Sequence, residues 1–394
     1  MNNQLNYLTK YPFQYLSNLL KEIKKEPEEI ISLHIGEPKG QAPEEALEVI
    51  FNNSDTFSKY PTSVGDFSLR EAYCRWLSDR FSVDYINPDL NVLPLSGTRE
   101  GIFSFIQWAI DTSKENPKVL LPNPFYKIYE GAAIMAGAEP YYVNSEESNG
   151  FKPDFASIPE SVWKDCQLLI LCSPSNPTGY CLDKKEYKEL LSKAEKYNFL
   201  LCSDECYIDI YESNAHPPVG LLECDDLSEP NSKSVVFHSL SKRSNLAGLR
   251  SGFICAGKEV IEKLSLYRTY HGVTLSFPAQ KASTWAWSDK DHVQANRLEY
   301  DKKYKVAISC LDSIEDLERP QGGFYFWLKL PCDDEIFAKT LYQEESVLSL
   351  PGSYLATENN GFNPGKGYLR LAVVHDIETI TKAFNAVNKT LKKF

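Results

Sequence analysis

Five short apolar runs recur along the chain, at 91–95, 118–121, 168–172, 199–203 and 234–237, and each stops at a polar residue or a Gly/Pro turn. They are too short for buried helices and lack the polar alternation of half-solvated strands. They read as short buried strands, and strands that alternate with helix patterns point to an α/β fold. Helix patterns at 43–52, 183–198, 279–311 and 376–393 supply the covering layers, and a further helix-like pattern spans 11–30 and ends in acids. In sheets of this kind ligands gather outside the carboxyl ends of the strands. The residues just past each run therefore carry the candidate chemistry.

Past the fifth run come Ser239, Ser241 and Lys242. A lysine held at a strand end and partly desolvated has a lowered pKa, so its neutral amine can attack an aldehyde. Ser239, Ser241 and Arg250 offer two hydroxyls and a forked cation to a phosphate. Past the first run, Ser96-Gly97-Thr98-Arg99 opens a helix whose free N–H groups suit an anion. Alone, that turn is equally a plain helix cap. Past the third run, the double-proline turn from Ser173 to Gly179 presents the amide of Asn176 as a donor. Past the fourth stands Asp204, and a carboxylate at a buried strand end is costly unless it meets a cation. Arg370 interrupts an apolar strand at 367–373, where it needs either a paired acid or a ligand carboxylate held by two parallel hydrogen bonds. Gly36 permits close backbone approach after the strand that starts at Ile31.

The block Ser239-Leu-Ser-Lys242 with Ala247-Gly-Leu-Arg250-Ser-Gly-Phe253 resembles the cofactor-lysine segment of the fold-type I pyridoxal-phosphate aminotransferases, class I/II. Gly36, Tyr60, Ser96-Gly97-Thr98, Tyr126, Asn176, Asp204, Tyr207, Lys242 and Arg370 occur in that family's order. The resemblance implies that Lys242 carries the cofactor, Asp204 meets its ring nitrogen, and Asn176 and Tyr207 share its phenolate oxygen. It also implies that Tyr126 lies on the ring and that Gly97, Thr98, Arg99, Ser239, Ser241 and Arg250 hold the phosphate. Gly36 and Arg370 would contact the substrate. Tyr60, otherwise a packing anchor in its turn, would reach the phosphate of a neighbouring subunit, which implies a homodimer with shared active sites. The fold implied is a large domain at 45–285 around a mainly parallel seven-stranded sheet. A smaller α+β domain would be built from 1–44 and 286–394.

Three segments, Ile35-Gly-Glu-Pro-Lys39, Pro122 to Ala132, and Arg268-Thr-Tyr-His-Gly272, resemble the N-succinyldiaminopimelate aminotransferases of bacterial lysine biosynthesis. That implies transfer of an amino group from N-succinyl-LL-2,6-diaminopimelate within a glutamate/2-oxoglutarate pair. Arg268 is the candidate for a distal substrate carboxylate, with Lys39, Arg99 and His271 beside it. An aspartate or broad-specificity aminotransferase and a carbon-sulfur lyase on the same fold stay open as alternatives.

Lys+Arg of 42 against Asp+Glu of 54 gives a net charge of -12, which disfavours nucleic acid and anionic membranes. No apolar run reaches membrane-spanning length and no signal-peptide pattern opens the chain, so the expected location is cytoplasmic. The ten cysteines are scattered without metal-ligand spacing, so buried free thiols and no metal are expected.

Overall fold

The computed structural model describes residues 2–26 and 29–394. Positions 27 and 28, in the tail of the first helix pattern, lie outside the described residues, and the helix itself runs only Pro12–Leu20. Twelve strands are present among the described residues, β1 (Ile31–Ser32) being the first. The apolar runs become β2 (Val92–Leu95), β3 (Lys118–Asn123), β5 (Cys166–Cys172), β6 (Leu200–Asp204) and β7 (Ser234–Ser239). They join β4 (Glu139–Asn144) and β8 (Gly252–Ala256) in one seven-stranded sheet of order β2-β8-β7-β6-β5-β3-β4. Only β8 runs against the others, since it pairs antiparallel with both β2 and β7.

Alternation along each strand feeds two cores. Val235 and Phe237 pack into one layer with Leu168, Ile170 and Cys202, while Val236 packs into the other with Leu169, Leu171 and Leu201. Both faces are apolar because helices cover both, which is why the runs carry no polar alternation.

A third core gathers Ile31 and Leu33 from near the start of the chain with residues between Tyr304 and Leu391. Its strands are β9 (Tyr325–Lys329), β10 (Val347–Leu348), β11 (Leu350–Pro351) and β12 (Tyr368–Ala372), with β12 central in an antiparallel three-stranded sheet and β10 parallel to β1. The helical stretch expected at 279–311 is two helices, Phe277–Ser288 and Asp291–Cys310. Asp289 divides them, its backbone extended and its side chain accepting from the His292 N–H at 2.9 Å. The second of these helices reaches both regions. Its Asn296 side chain donates to the carbonyls of Lys242 and Arg243 at 3.2 and 3.1 Å, and its Tyr304 and Ala307 lie in the third core.

Candidate active site

Register places three strand ends level with one another. Cys172 pairs with Asp204, and Asp204 pairs with Phe237. Beyond Phe237, Ser239 ends β7 and caps the short helix Leu240–Arg243, its hydroxyl accepting from the Ser241 N–H at 3.1 Å. That single turn swings Lys242 out of the strand direction and over the ends of β5 and β6. It opens a cavity of about 460 Å³ lined by Lys242, Asp204, Asn176, Tyr126, Arg250 and Arg370 among others.

Lys242 is half-buried, and its Nζ donates to the Gly36 carbonyl. Gly36 is required for that approach, because a Cβ there would overlap the Tyr325 hydroxyl. Burial above all, with the Arg370 and Arg99 cations adding to it and Cys206 and Glu37 opposing it, lowers the Lys242 pKa to about 8. A good fraction of the amine is therefore neutral near physiological pH, as a lysine nucleophile requires.

Asp204 is 2% exposed, and no cation pairs with it among the described residues. The Tyr129 hydroxyl donates to its Oδ2 at 2.7 Å and the Cys206 N–H to its Oδ1 at 3.2 Å. Burial raises its pKa and these two donors oppose the rise. A buried carboxylate supplied with donors but no cation suits a positively charged ring nitrogen.

The anion end of the cleft is built around the start of the helix Thr98–Ala109. Gly97 adopts φ 86°, and a Cβ there would overlap the Arg250 guanidinium, so glycine lets that cation lie over the helix N-terminus. Arg250 is steadied by its Nη1 donating to the Ala247 carbonyl at 2.8 Å. Thr98, Arg99, Ser239 and Ser241 line the same cavity, and the donor set is that of a phosphate seat. Between the two ends, Tyr126 accepts from Arg99 Nε at 2.6 Å, and Tyr207 shares a 3.3 Å contact with Tyr325 through their hydroxyls. The arrangement fits a flat cationic ring carrying a phosphate, with Lys242 within reach of an aldehyde on it.

Arg370 faces the cleft from β12. Its Nη1 donates to Asn176 Oδ1 at 3.0 Å and its Nη2 to the His34 carbonyl at 2.7 Å, while its Cζ sits 4.4 Å from the Tyr325 ring centroid. Neither partner is an acid, and its Nε is buried without a hydrogen bond, so the charge stays available to a ligand carboxylate. Asn176 spends its oxygen on Arg370. Its amide hydrogens remain for a ring oxygen.

Two expected site residues stand elsewhere. Tyr60 is 100% exposed and does not line the cleft of its own chain. Arg268 is a correction: it is 2% exposed in the helix Lys258–His271, where Nη1 meets Glu100 Oε1 and Nη2 donates to Glu100 Oε2 at 3.2 Å. Glu100 lies in the first turn of the helix that forms the anion end, so the charge of Arg268 is committed to bracing that helix. Arg268→Ala should therefore lower the thermal unfolding midpoint and reduce turnover of glutamate and alanine by the same factor. The stability loss should stay below the roughly 3–5 kcal/mol of a fully buried pair, because Glu100 reaches water; calorimetry and paired kcat/KM measurements check both halves. Of the other distal candidates, His271 contacts the Ser104 hydroxyl at 3.3 Å and exposed Lys39 pairs with Glu37.

Sequence reasoning left four contributors unassigned. Tyr129 supports Asp204 from the first turn of the helix Ile128–Met135, which starts just past Tyr126. Tyr325 backs Arg370, Tyr207 and Gly36 at once. Cys172 and Cys206 meet beside Asp204 only because β5 and β6 are neighbours in register.

The family description "Aminotransferase class I and II" matches residues 28–387. An LL-diaminopimelate aminotransferase from Aquifex aeolicus (strain VF5) is 32% identical over 403 residues, spanning 99% of each chain. An aminotransferase from Neisseria meningitidis Z2491 has a crystal structure 40% identical with a TM-score of 0.94, covering 99% of this chain and 100% of that one. The aminotransferase AspB from Helicobacter pylori 26695 is 35% identical with a TM-score of 0.89, covering 98% and 100%.

Proposed function

Because this chain belongs to the class I and II aminotransferases, we propose that it is a pyridoxal-phosphate-dependent transaminase acting on a diaminopimelate with 2-oxoglutarate as acceptor. The observation that carries the cofactor is the buried Asp204 carboxylate, which has donors and no cation, facing Lys242 across one cavity. When bound, pyridoxal phosphate supplies an electron-withdrawing ring that stabilises negative charge at the substrate α-carbon. Arg250, Ser239, Ser241 and the helix start at Thr98 would hold its phosphate, and Tyr126 would keep its ring flat. Asp204 would hold the positive ring nitrogen, and Asn176 and Tyr207 the ring oxygen.

Within that frame each side chain has one task. Arg370, stacked on Tyr325, binds the α-carboxylate and fixes which bond at the α-carbon faces Lys242. The Lys242 amine would then take a proton from the substrate α-carbon as general base and give it up again as general acid. Since burial and neighbouring cations bring its pKa to about 8, the rate at which added pyridoxal phosphate is captured by apoprotein should rise with pH and level off above about 8. Arg370→Gln removes one of those cations and should move the inflection to higher pH. Stopped-flow absorbance across a pH series reads both shifts.

For the substrate, N-succinyl-LL-diaminopimelate is the first choice on the segments around Gly36, Tyr126 and Arg268. The free LL form is the second, favoured by the name of the Aquifex relative. Incubation with pyridoxal phosphate, 2-oxoglutarate and each candidate donor in turn should yield glutamate. Pyruvate with ammonia in place of glutamate would mark a lyase, and faster turnover of aspartate than of either diaminopimelate would displace the substrate assignment alone.

We also propose a homodimer. Tyr60 is fully exposed, and Phe51 and Phe57 near it are 77% and 63% exposed, an apolar patch that a second copy would cover while delivering Tyr60 to the partner's cleft.

A further inference from the structure

At the floor of the cleft, Cys172 at the end of β5 lies across from Asp204 at the end of β6, and Cys206 follows Asp204 by two positions. The two thiol sulfurs and a carboxylate oxygen all lie within 4.8 Å of one another. We propose that these three side chains form a binding site for a thiophilic divalent cation of the zinc and cadmium class, open only while the cleft holds no cofactor.

The chemistry of the donors supports the class. Two sulfurs and one carboxylate oxygen are a zinc-type set, and a water completes four-coordination. A tetrahedral centre with Zn–S of about 2.3 Å and Zn–O of about 2.0–2.2 Å spaces its ligand atoms by about 3.5–3.8 Å. Small side-chain rotations close the difference from the observed cluster. Cys172 has only the Pro174 carbonyl as acceptor, at 3.1 Å, so no competing ion pair must be broken. Binding forms two metal–sulfur bonds and one metal–oxygen bond and releases the two thiol protons to water, with no change of oxidation state. Three anionic ligands around a dication leave one negative charge, and the nearby Lys242 ammonium compensates it. The contact with Cys172 and burial push the Cys206 thiol well above its usual range, so its proton stays until a metal displaces it.

Exclusion follows from Asp204, whose carboxylate cannot serve a metal and a ring nitrogen together. That half rests on the pyridoxal-phosphate reading, whereas metal binding by the apoprotein does not. The test titrates reduced apoprotein with cadmium chloride and reads the ultraviolet charge-transfer band of cadmium thiolate. One equivalent should bind. Cys172→Ser and Cys206→Ser should each weaken binding by at least the roughly 10–100-fold seen on losing a partner of a metal ligand. Cys74→Ser, buried far from the cleft, should leave the titration unchanged, and circular dichroism checks the folding of all three variants. Prior loading with pyridoxal phosphate should suppress the band. Absence of a saturable band, or a band indifferent to both cleft substitutions, overturns the site. A band lost in both variants yet insensitive to pyridoxal phosphate overturns the exclusion.

Discussion

Replacing Lys242 with alanine is expected to end transamination and to leave pyridoxal phosphate held only by reversible contacts. Two losses combine. The amine nearest the cleft centre disappears, so the cofactor aldehyde has no covalent partner, and the proton acceptor at the substrate α-carbon goes with it. Positioned proton transfer alone contributes about 10²–10⁴-fold, so the residual rate should fall by at least that factor. No second amine is placed to substitute: Lys127, the other lysine lining the cavity, is tied to Thr357 at 2.7 Å and to Glu130 at 3.3 Å. Gel filtration of loaded protein after borohydride treatment reads the first loss and single-turnover kinetics the second. Retention of reduced cofactor by the variant would show that another lysine is the carrier.

Asp204→Asn is the second large effect. The change preserves shape but removes the buried carboxylate charge at that end of the cleft. Losing one partner of a buried charge pair costs roughly 2–5 kcal/mol, about 30- to 5,000-fold if it falls on the rate-limiting proton removal. Binding of pyridoxal phosphate should persist, because the anion end is untouched. Asn176→Ala should cost less, since Tyr207 still reaches the ring oxygen. A visible spectrum and kcat measured on the same preparations separate the two, and equally mild losses would remove the ring-nitrogen role from Asp204.

Much of the cleft was legible because local rules agreed. An apolar run followed by an abrupt polar turn recurs at Asn176, Asp204 and Lys242, and each places its polar residue at a strand end without knowledge of the partners. Strand order was not legible in the same way. Cys172 and Cys206 lie 34 positions apart and meet only through register between β5 and β6. Arg268 was misread for a related reason. Its segment suggested a substrate cation, but its acid partner, Glu100, lies 168 positions away, and a buried arginine takes the carboxylate that packing brings to it. The strand β4 escaped notice because Glu139 to Tyr142 are only partly buried, and an edge strand with Pro140 lacks the apolar run of its neighbours.

The helix Asp291–Cys310 is rooted in the third core by Tyr304 and Ala307 and grips the backbone on both sides of the Lys242–Arg243 peptide through Asn296. Eight residues of helix, about 12 Å, separate grip from root. A rigid rod of that length works as a crank: when the third core swings against the seven-stranded sheet, the carbonyls held by Asn296 must follow or let go. Arg370 stands on β12, whose Leu369 and Leu371 pack in the same core, so any displacement of that core would reach both its fork and the peptide that carries Lys242.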